Sequence, residues 1–231
     1  MGGLGLFTRR RAIASSPVEG EDIAKFLMAR FSFEGRTNQD SDRTIAYETT
    51  GKGFATMKVQ LASWTKDYGY KDDMFVGDGS SNTYGTITLA EPIGDNFTII
   101  IHRELLPIDE LSGTLLGSAS SSSGQSTMWM EYKTNGALQT ACRGGVISPT
   151  RIDSSVAWMT QNSYNGLVKE GMATTNSYLT TQLVIGKMRT GVAVAQKFKI
   201  HSIHIFNQSF SPNEIEKYIQ KYIDSSYSLP V

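Results

Sequence analysis

Short runs rich in β-branched and aromatic residues recur along the chain, separated by clusters of Gly, Asn, Asp, Ser or Pro. They are FLMARFSFE, TIAYETT, ATMKVQLASW, YGTITLAE, NFTIIIHREL, STMWMEYK, ALQTAC, VAWMTQNSY, YLTTQLVIGK and KFKIHSIHIF. Such side chains fit a pleated, half-buried surface, so each run predicts a strand, and so many strands in one domain predict two packed sheets. Asn165-Gly166 predicts a hairpin joining VAWMTQNSY to LVKEG, because both residues tolerate the positive φ of a type I′ turn. The segment GSASSSSGQS (117–126) has no apolar surface to bury and predicts an exposed loop within the domain, since the strand pattern resumes directly after it. No solenoid-length repeat interrupts this pattern.

The period changes once, in FNQSFSPNEIEKYIQKYI (206–223). Ser211 suits an N-cap, Pro212 the first helical position, and Glu214 the reciprocal place in an S-x-x-E capping box. Ile215, Tyr218, Ile219, Tyr222 and Ile223 then form one apolar stripe, with Glu214, Glu216, Lys217, Gln220 and Lys221 outside it. The spacing predicts a helix over 211–223 that buries one face.

The 231 residues, 39% hydrophobic and 10% aromatic, suffice for one sandwich with its own core. Lys+Arg and Asp+Glu both number 22, so no global field recruits nucleic acid to the body. The charge is uneven, however: Arg9, Arg10 and Arg11 give residues 1–18 a charge of +3, leaving 19 − 22 = −3 for the rest. The division expected is a basic, apolar arm over 1–20 and a sandwich domain over 21–231. The arm does not read as an export signal, because its short apolar piece precedes the arginines, and Leu6 stands where myristoylation needs Ser or Thr. No run has the length of a membrane span. Two readings of the arm stay open: a disordered terminus, or an anchor whose Leu4, Leu6 and Phe7 insert into a protein partner while Arg9, Arg10 and Arg11 meet its carboxylates or phosphates.

Candidate chemistry is sparse. The lone Cys142 excludes an internal disulfide and is expected as a buried small hydrophobe. His201 and His204, three apart on a predicted strand, should point to opposite faces and cannot share a metal without a bulge. Asp40, Asp42 and Asp72-Asp73 could offer oxygens to calcium but match no complete loop signature, so neither a metal nor any other cofactor is expected. The acidic groups Glu19/Glu21/Asp22, Asp109-Glu110 and Glu214/Glu216 read as solvated surface. One stretch, ASWTKDYGYKDD (62–73), mixes rings and carboxylates in an expected loop. Trp64, Tyr68, Tyr70 and Asp72 are therefore candidates for stacking on a sugar and fixing its hydroxyls, although closing the core is an equal alternative. Trp129 and Trp158, on regular strands, are expected in the core.

The order YNGLVKEG, YLTTQLVIGKM, then KIHSIHIFNQSFSPNEIEKYI resembles the second half of the laminin-G/concanavalin A-like jelly-roll family. In the first half, FSFEGRTNQDSDRT followed by Thr50-Gly-x-Gly53 is similar to versions of the domain found in proteins of gut bacteria and their phages. The resemblance covers about Ala29 to Ile223 and implies an all-β, two-sheet antiparallel jelly-roll sandwich with one short C-terminal helix packed over its edge. The chain departs from the pattern at Phe198-Lys-Ile-His201, where the family often has Gly and an acid, so no family calcium or ligand site is carried over there.

Family members that hydrolyse β-glucans carry E-x-D-x-x-E on one strand, which sends both carboxylates to one face. No Glu here has Asp two residues later, so the expectation is no enzyme. Two functions remain open. One, implied by the family's occurrence and by the arm, is a structural or decorating protein of a phage particle, made in the host cytoplasm and carried in the virion with its arm on a capsid or other virion protein. The other is a glycan-binding module, free or at a bacterial cell surface.

Overall fold

The computed structural model describes residues 22–93, 96–107, 110, 113–118, 128–132, 138–142, 145–147, 155–160, 163–164, 167–168, 180–187 and 196–225. The whole arm, residues 119–126 of the serine loop, and the Cys142 and Trp129 side chains lie outside the described parts. A short 3-10 helix, Ile23–Phe26, capped by the Asp22 side chain, opens the domain. The strands follow as β1 (Leu27–Ser32), β2 (Ile45–Ala46), β3 (Ala55–Gln60), β4 (Gly69–Lys71), β5 (Met74–Asp78), β6 (Tyr84–Ile93), β7 (Thr98–Arg103) and β8 (Gly113–Ser118). Then come β9 (Met128–Tyr132), β10 (Leu138–Cys142), β11 (Gly145–Ile147), β12 (Val156–Thr160), β13 (Ser163–Tyr164), β14 (Leu167–Val168), β15 (Thr180–Ile185), β16 (Lys197–Phe206) and helix α1 (Pro212–Tyr222).

Two antiparallel sheets form the sandwich. Sheet A runs β14-β13-β12-β7-β16-β5-β4, with β1 also on β16, and sheet B runs β11-β10-β9-β8-β15-β6-β3-β2. The long strand β16 is the spine of sheet A: β7 lines one of its edges, while β5 and β1 divide the other between them. Between the sheets lies the main core, with Phe31, Phe33, Phe75, Ile87, Leu183 and Ile203 among its members.

A second core lies on the outer side of sheet A. There Ile215, Tyr218 and Ile219 of α1 pack on Ile100, Trp158 and Phe206, joined by Ile23 and Leu27. Coverage on both sides explains why Val156–Thr160 is buried at every position, whereas β3, open on its outer side, alternates buried and exposed along its length. The helix begins as the sequence predicts: the Glu214 amide donates to Ser211 Oγ, and the Ser211 amide donates to the Glu214 carboxylate at 2.8 Å.

Several details differ from the sequence reading. VAWMTQNSY divides into β12 and β13, which pair with each other, while the end of VAWMTQNSY pairs with the start of LVKEG in the register Tyr164↔Leu167, as expected; Asn165 and Gly166 themselves lie outside the described residues. The stretch 62–73 is not all loop either. Gly69–Lys71 is a strand whose hairpin to β5 turns at Asp72 and Asp73, with φ of 50° and 60°, the left-handed conformation that Asp tolerates. Gly186, which closes β15 at φ +80°, is fixed by packing as well: a Cβ there would stand 2.2 Å from the Phe198 ring.

Candidate functional site

Around β4, the turn-rich segment 33–47 meets the segment 61–71. Asn38 joins them: its Nδ2 donates to the carbonyls of Thr65 (2.6 Å) and Tyr68 (2.9 Å), and its Oδ1 accepts from the Tyr70 amide (2.7 Å). Gly69, at φ +109°, makes room for this, since a Cβ would meet Asn38 Oδ1 at 2.2 Å and Trp64 at 2.8 Å. Arg43 donates to the Asn38 carbonyl at 2.9 Å and lies over the Trp64 ring at 5.3 Å.

Of the residues singled out in the sequence, Trp64 and Tyr70 come together, with ring centroids 5.5 Å apart. Tyr70 is only 4% exposed and stands among Phe33, Phe75 and Arg36. Burial pushes its phenol up to about 12, against the opposing pull of Arg36. Its ring therefore closes the core, and Trp64 packs half-buried beside it. Tyr68 is half-buried, and Asp72 is exposed at the hairpin turn.

The sequence reading missed Arg36 and Tyr47. The Arg36 guanidinium lies between two rings, 4.7 Å from Tyr47 and 4.8 Å from Tyr70, and pairs with Asp40 (2.9 Å) and Asp42 (3.3 Å). Asp40 and Asp42 thus serve as partners of Arg36, and Asp73 accepts from the Gly35 amide. Tyr47 is 53% exposed, one of the few large rings the described surface presents to solvent. The i,i+4 pair Arg36/Asp40 is visible in the sequence, but its closure on Tyr47 depends on where β2 ends.

The expectation for the histidines is corrected. β16 carries a bulge between Ile200 and Ser202, which restores Ile203 to the inner face and puts His201 and His204 on the same outer face. His201 stacks on His102 at 4.5 Å, whereas His204 is buried beneath the helix, with Ser202 Oγ 2.8 Å from its Nε2 and the Tyr218 hydroxyl 2.7 Å from its Nδ1. Burial, reinforced by the Arg30 charge and by His102, pushes His204 down to about 3. Among the described residues, no group of three or more His, Cys, Asp or Glu is placed to hold a metal ion.

Two acids expected as solvated surface are engaged in holding the second core. Trp158 Nε1 donates to Glu216 Oε1 at 3.1 Å, and Asp22 accepts from Lys221 (2.6 Å) and Tyr222 (2.5 Å). A cavity of ≈ 10 Å³, the size of one water, lies among Arg103, Leu115, Gln196 and Phe198. No helix among the described residues is long and apolar enough to cross a membrane.

No protein-family model matches the sequence, and no curated protein matches it. Solved structures do. Trypanosoma rangeli sialidase in complex with sialic acid superposes with a TM-score of 0.59 at 12% identity, over 86% of this chain and 34% of that one. The botulinum neurotoxin serotype D ligand binding domain in complex with N-acetylneuraminic acid superposes with a TM-score of 0.54 at 13% identity, over 87% of this chain and 52% of that one. The chain thus spans between a third and about half of the length of these proteins. At such identities the likeness concerns the fold, and the fold of this chain is a concanavalin A-like, two-sheet antiparallel jelly roll with one C-terminal helix.

Proposed function

We propose that this chain is a non-catalytic structural or decorating protein of a phage particle, carried in the virion with its jelly roll displayed for protein or glycan contacts. The observation that carries the reading is how the reactive groups are used. Arg36 is held between two rings and two aspartates, His204 between Ser202 and Tyr218, and Glu216 by Trp158. Each serves packing, which suits a rigid displayed shell more than a reaction centre. The resemblance of the first half to phage and gut-bacterial domains and the basic, apolar arm support it further. In this reading Leu4, Leu6, Phe7 and Arg9 to Arg11 attach the domain to a capsid or other virion protein. Deleting residues 2–16 should leave thermal unfolding of the domain nearly unchanged yet prevent incorporation into particles. Incorporation of the deleted form at the normal level would overturn the anchoring role.

The second reading is a carbohydrate-binding module at a bacterial surface. It is favoured by the exposed Tyr47 ring and by the two structures of like fold that hold sialic acid and N-acetylneuraminic acid.

A further inference from the structure

On the inner side of β3, Ala55, Met57 and Val59 enter the main core, while Thr56, Lys58 and Gln60 face outward and are exposed. The neighbouring β6 sets Thr88, Thr86 and Tyr84 opposite them, in the register Thr56↔Thr88, Lys58↔Thr86 and Gln60↔Tyr84. On the other flank Ile45 of β2 stands opposite Lys58 and is 46% exposed, and Tyr47, one residue beyond that strand, is 53% exposed at the sheet's edge with its ring on Arg36. The open area ends at β15, where Val184, paired with Thr86, is buried. Sheet A has no counterpart under α1, where its outer side is occupied by the second core.

Both tyrosines are held by cations. Arg36 lies 4.7 Å from the Tyr47 ring, and Lys187 Nζ lies 4.4 Å from the Tyr84 ring, whose hydroxyl donates to Gln60 Oε1 at 2.9 Å. Between them the side chains offer hydroxyls, an amide and the Lys58 ammonium, and the rows from Gln60/Tyr84 to Thr56 contain no carboxylate. The acids that flank β2 are engaged elsewhere: Asp42 pairs with Arg36, and Glu48 accepts from the Arg30 and Thr50 amides.

We infer that the outer face of sheet B across β2, β3 and β6 binds an acidic oligosaccharide, with sugar rings against Tyr47 and Tyr84, hydroxyls on Thr56, Thr86 and Gln60, and a carboxylate at Lys58. Flat rings match the apolar faces of sugars, groups that both donate and accept match their hydroxyls, and an ammonium without a competing carboxylate selects an anion. The inference deepens the displayed-for-glycan-contacts part of the proposed function and moves the contact from Trp64 and Tyr70 to the neighbouring sheet face.

The test applies the full chain to an array of acidic and neutral oligosaccharides and titrates the strongest ligand by calorimetry. Tyr47→Ala and Tyr84→Ala should each weaken binding roughly tenfold or more. Lys58→Gln should remove its salt dependence, and Trp64→Phe should change nothing. Thermal unfolding checks that each variant folds, and Tyr84→Phe, which keeps the ring, should retain most of the affinity. Binding of neutral sugars alone, binding that neither tyrosine nor Lys58 alters, or no binding by the folded wild type would overturn the inference. Particle incorporation is measured separately, so failure on the array with the chain present in particles removes this face alone, and the reverse result removes the particle.

Discussion

His204 and Tyr218 meet across a 2.7 Å hydrogen bond that ties the spine strand of sheet A to the buried stripe of its covering helix. Fourteen residues apart, they share one buried site in which Ser202 occupies the other imidazole nitrogen. Tyr218→Phe would leave a buried ring nitrogen without its partner, a loss of about 1–3 kcal/mol. A lowered urea midpoint with an unchanged slope is the expected reading, and an unaltered midpoint would show that the bond contributes nothing net.

Stability should fall with acid. Burial first, then Arg30 and His102, holds His204 at about 3 in the folded chain against an ordinary 6.5, and burial with the neighbouring His201 lowers His102 in the same direction. Below 6.5 the unfolded chain therefore binds protons that the folded chain refuses. Stability is complete above that value and is lost as the pH falls toward 3, by an amount on the order of several kcal/mol. Urea midpoints between pH 8 and pH 4 should show this slope, and His204→Gln should flatten it. Equal slopes in both proteins would place the acid sensitivity elsewhere.

The helix divides two kinds of contribution. Ile219, 5% exposed, faces the second core, so Ile219→Asp buries an unpaired charge and should cost several kcal/mol, on the order of other such changes. Ser211→Ala removes only the cap, about 1 kcal/mol. Equal and negligible shifts in the two urea midpoints would mean that the helix does not pack on the sandwich.

Much of this architecture is legible in the sequence because it is local. The capping box of α1 uses residues 211–214 alone, and the alternation of β3 records directly which of its sides meets water. What escapes is set by pairing across the chain. Nothing near Ile200 announces the bulge that brings His201 round to His102, and nothing in 62–73 shows that Asn38, some thirty residues earlier, will bind its carbonyls and let Gly69–Lys71 form a strand. The candidate site suffers most from this. An aromatic-rich segment is visible in sequence, but whether a ring faces solvent, as Tyr47 does, or the core, as Tyr70 does, depends on its neighbours in the sheets.

Gly186 is tied to Phe198 in the same non-local way. Gly186→Ala combines a positive φ with a Cβ 2.2 Å from that ring and should destabilise the domain by more than about 1 kcal/mol. Phe198→Leu should recover only part of this loss, because relieving the contact leaves the backbone conformation. A double-mutant cycle measures both parts, and full recovery would assign the whole effect to the ring.

No turnover of laminarin or xyloglucan is expected, since the usual retaining and inverting mechanisms use two convergent carboxylates, and Glu214 and Glu216 are engaged in the cap and with Trp158. Hydrolysis abolished by replacing a single Glu or Asp would refute a non-catalytic role.

The central claim, that this jelly roll is part of a phage particle, meets its most direct test in mass spectrometry of gradient-purified particles from a lysate in which the chain is expressed. The account predicts the chain in the particle band, at a constant ratio to the major shell protein through repeated banding. Its absence from the particles, with all of the chain in the soluble or cell-surface fraction, would contradict the claim.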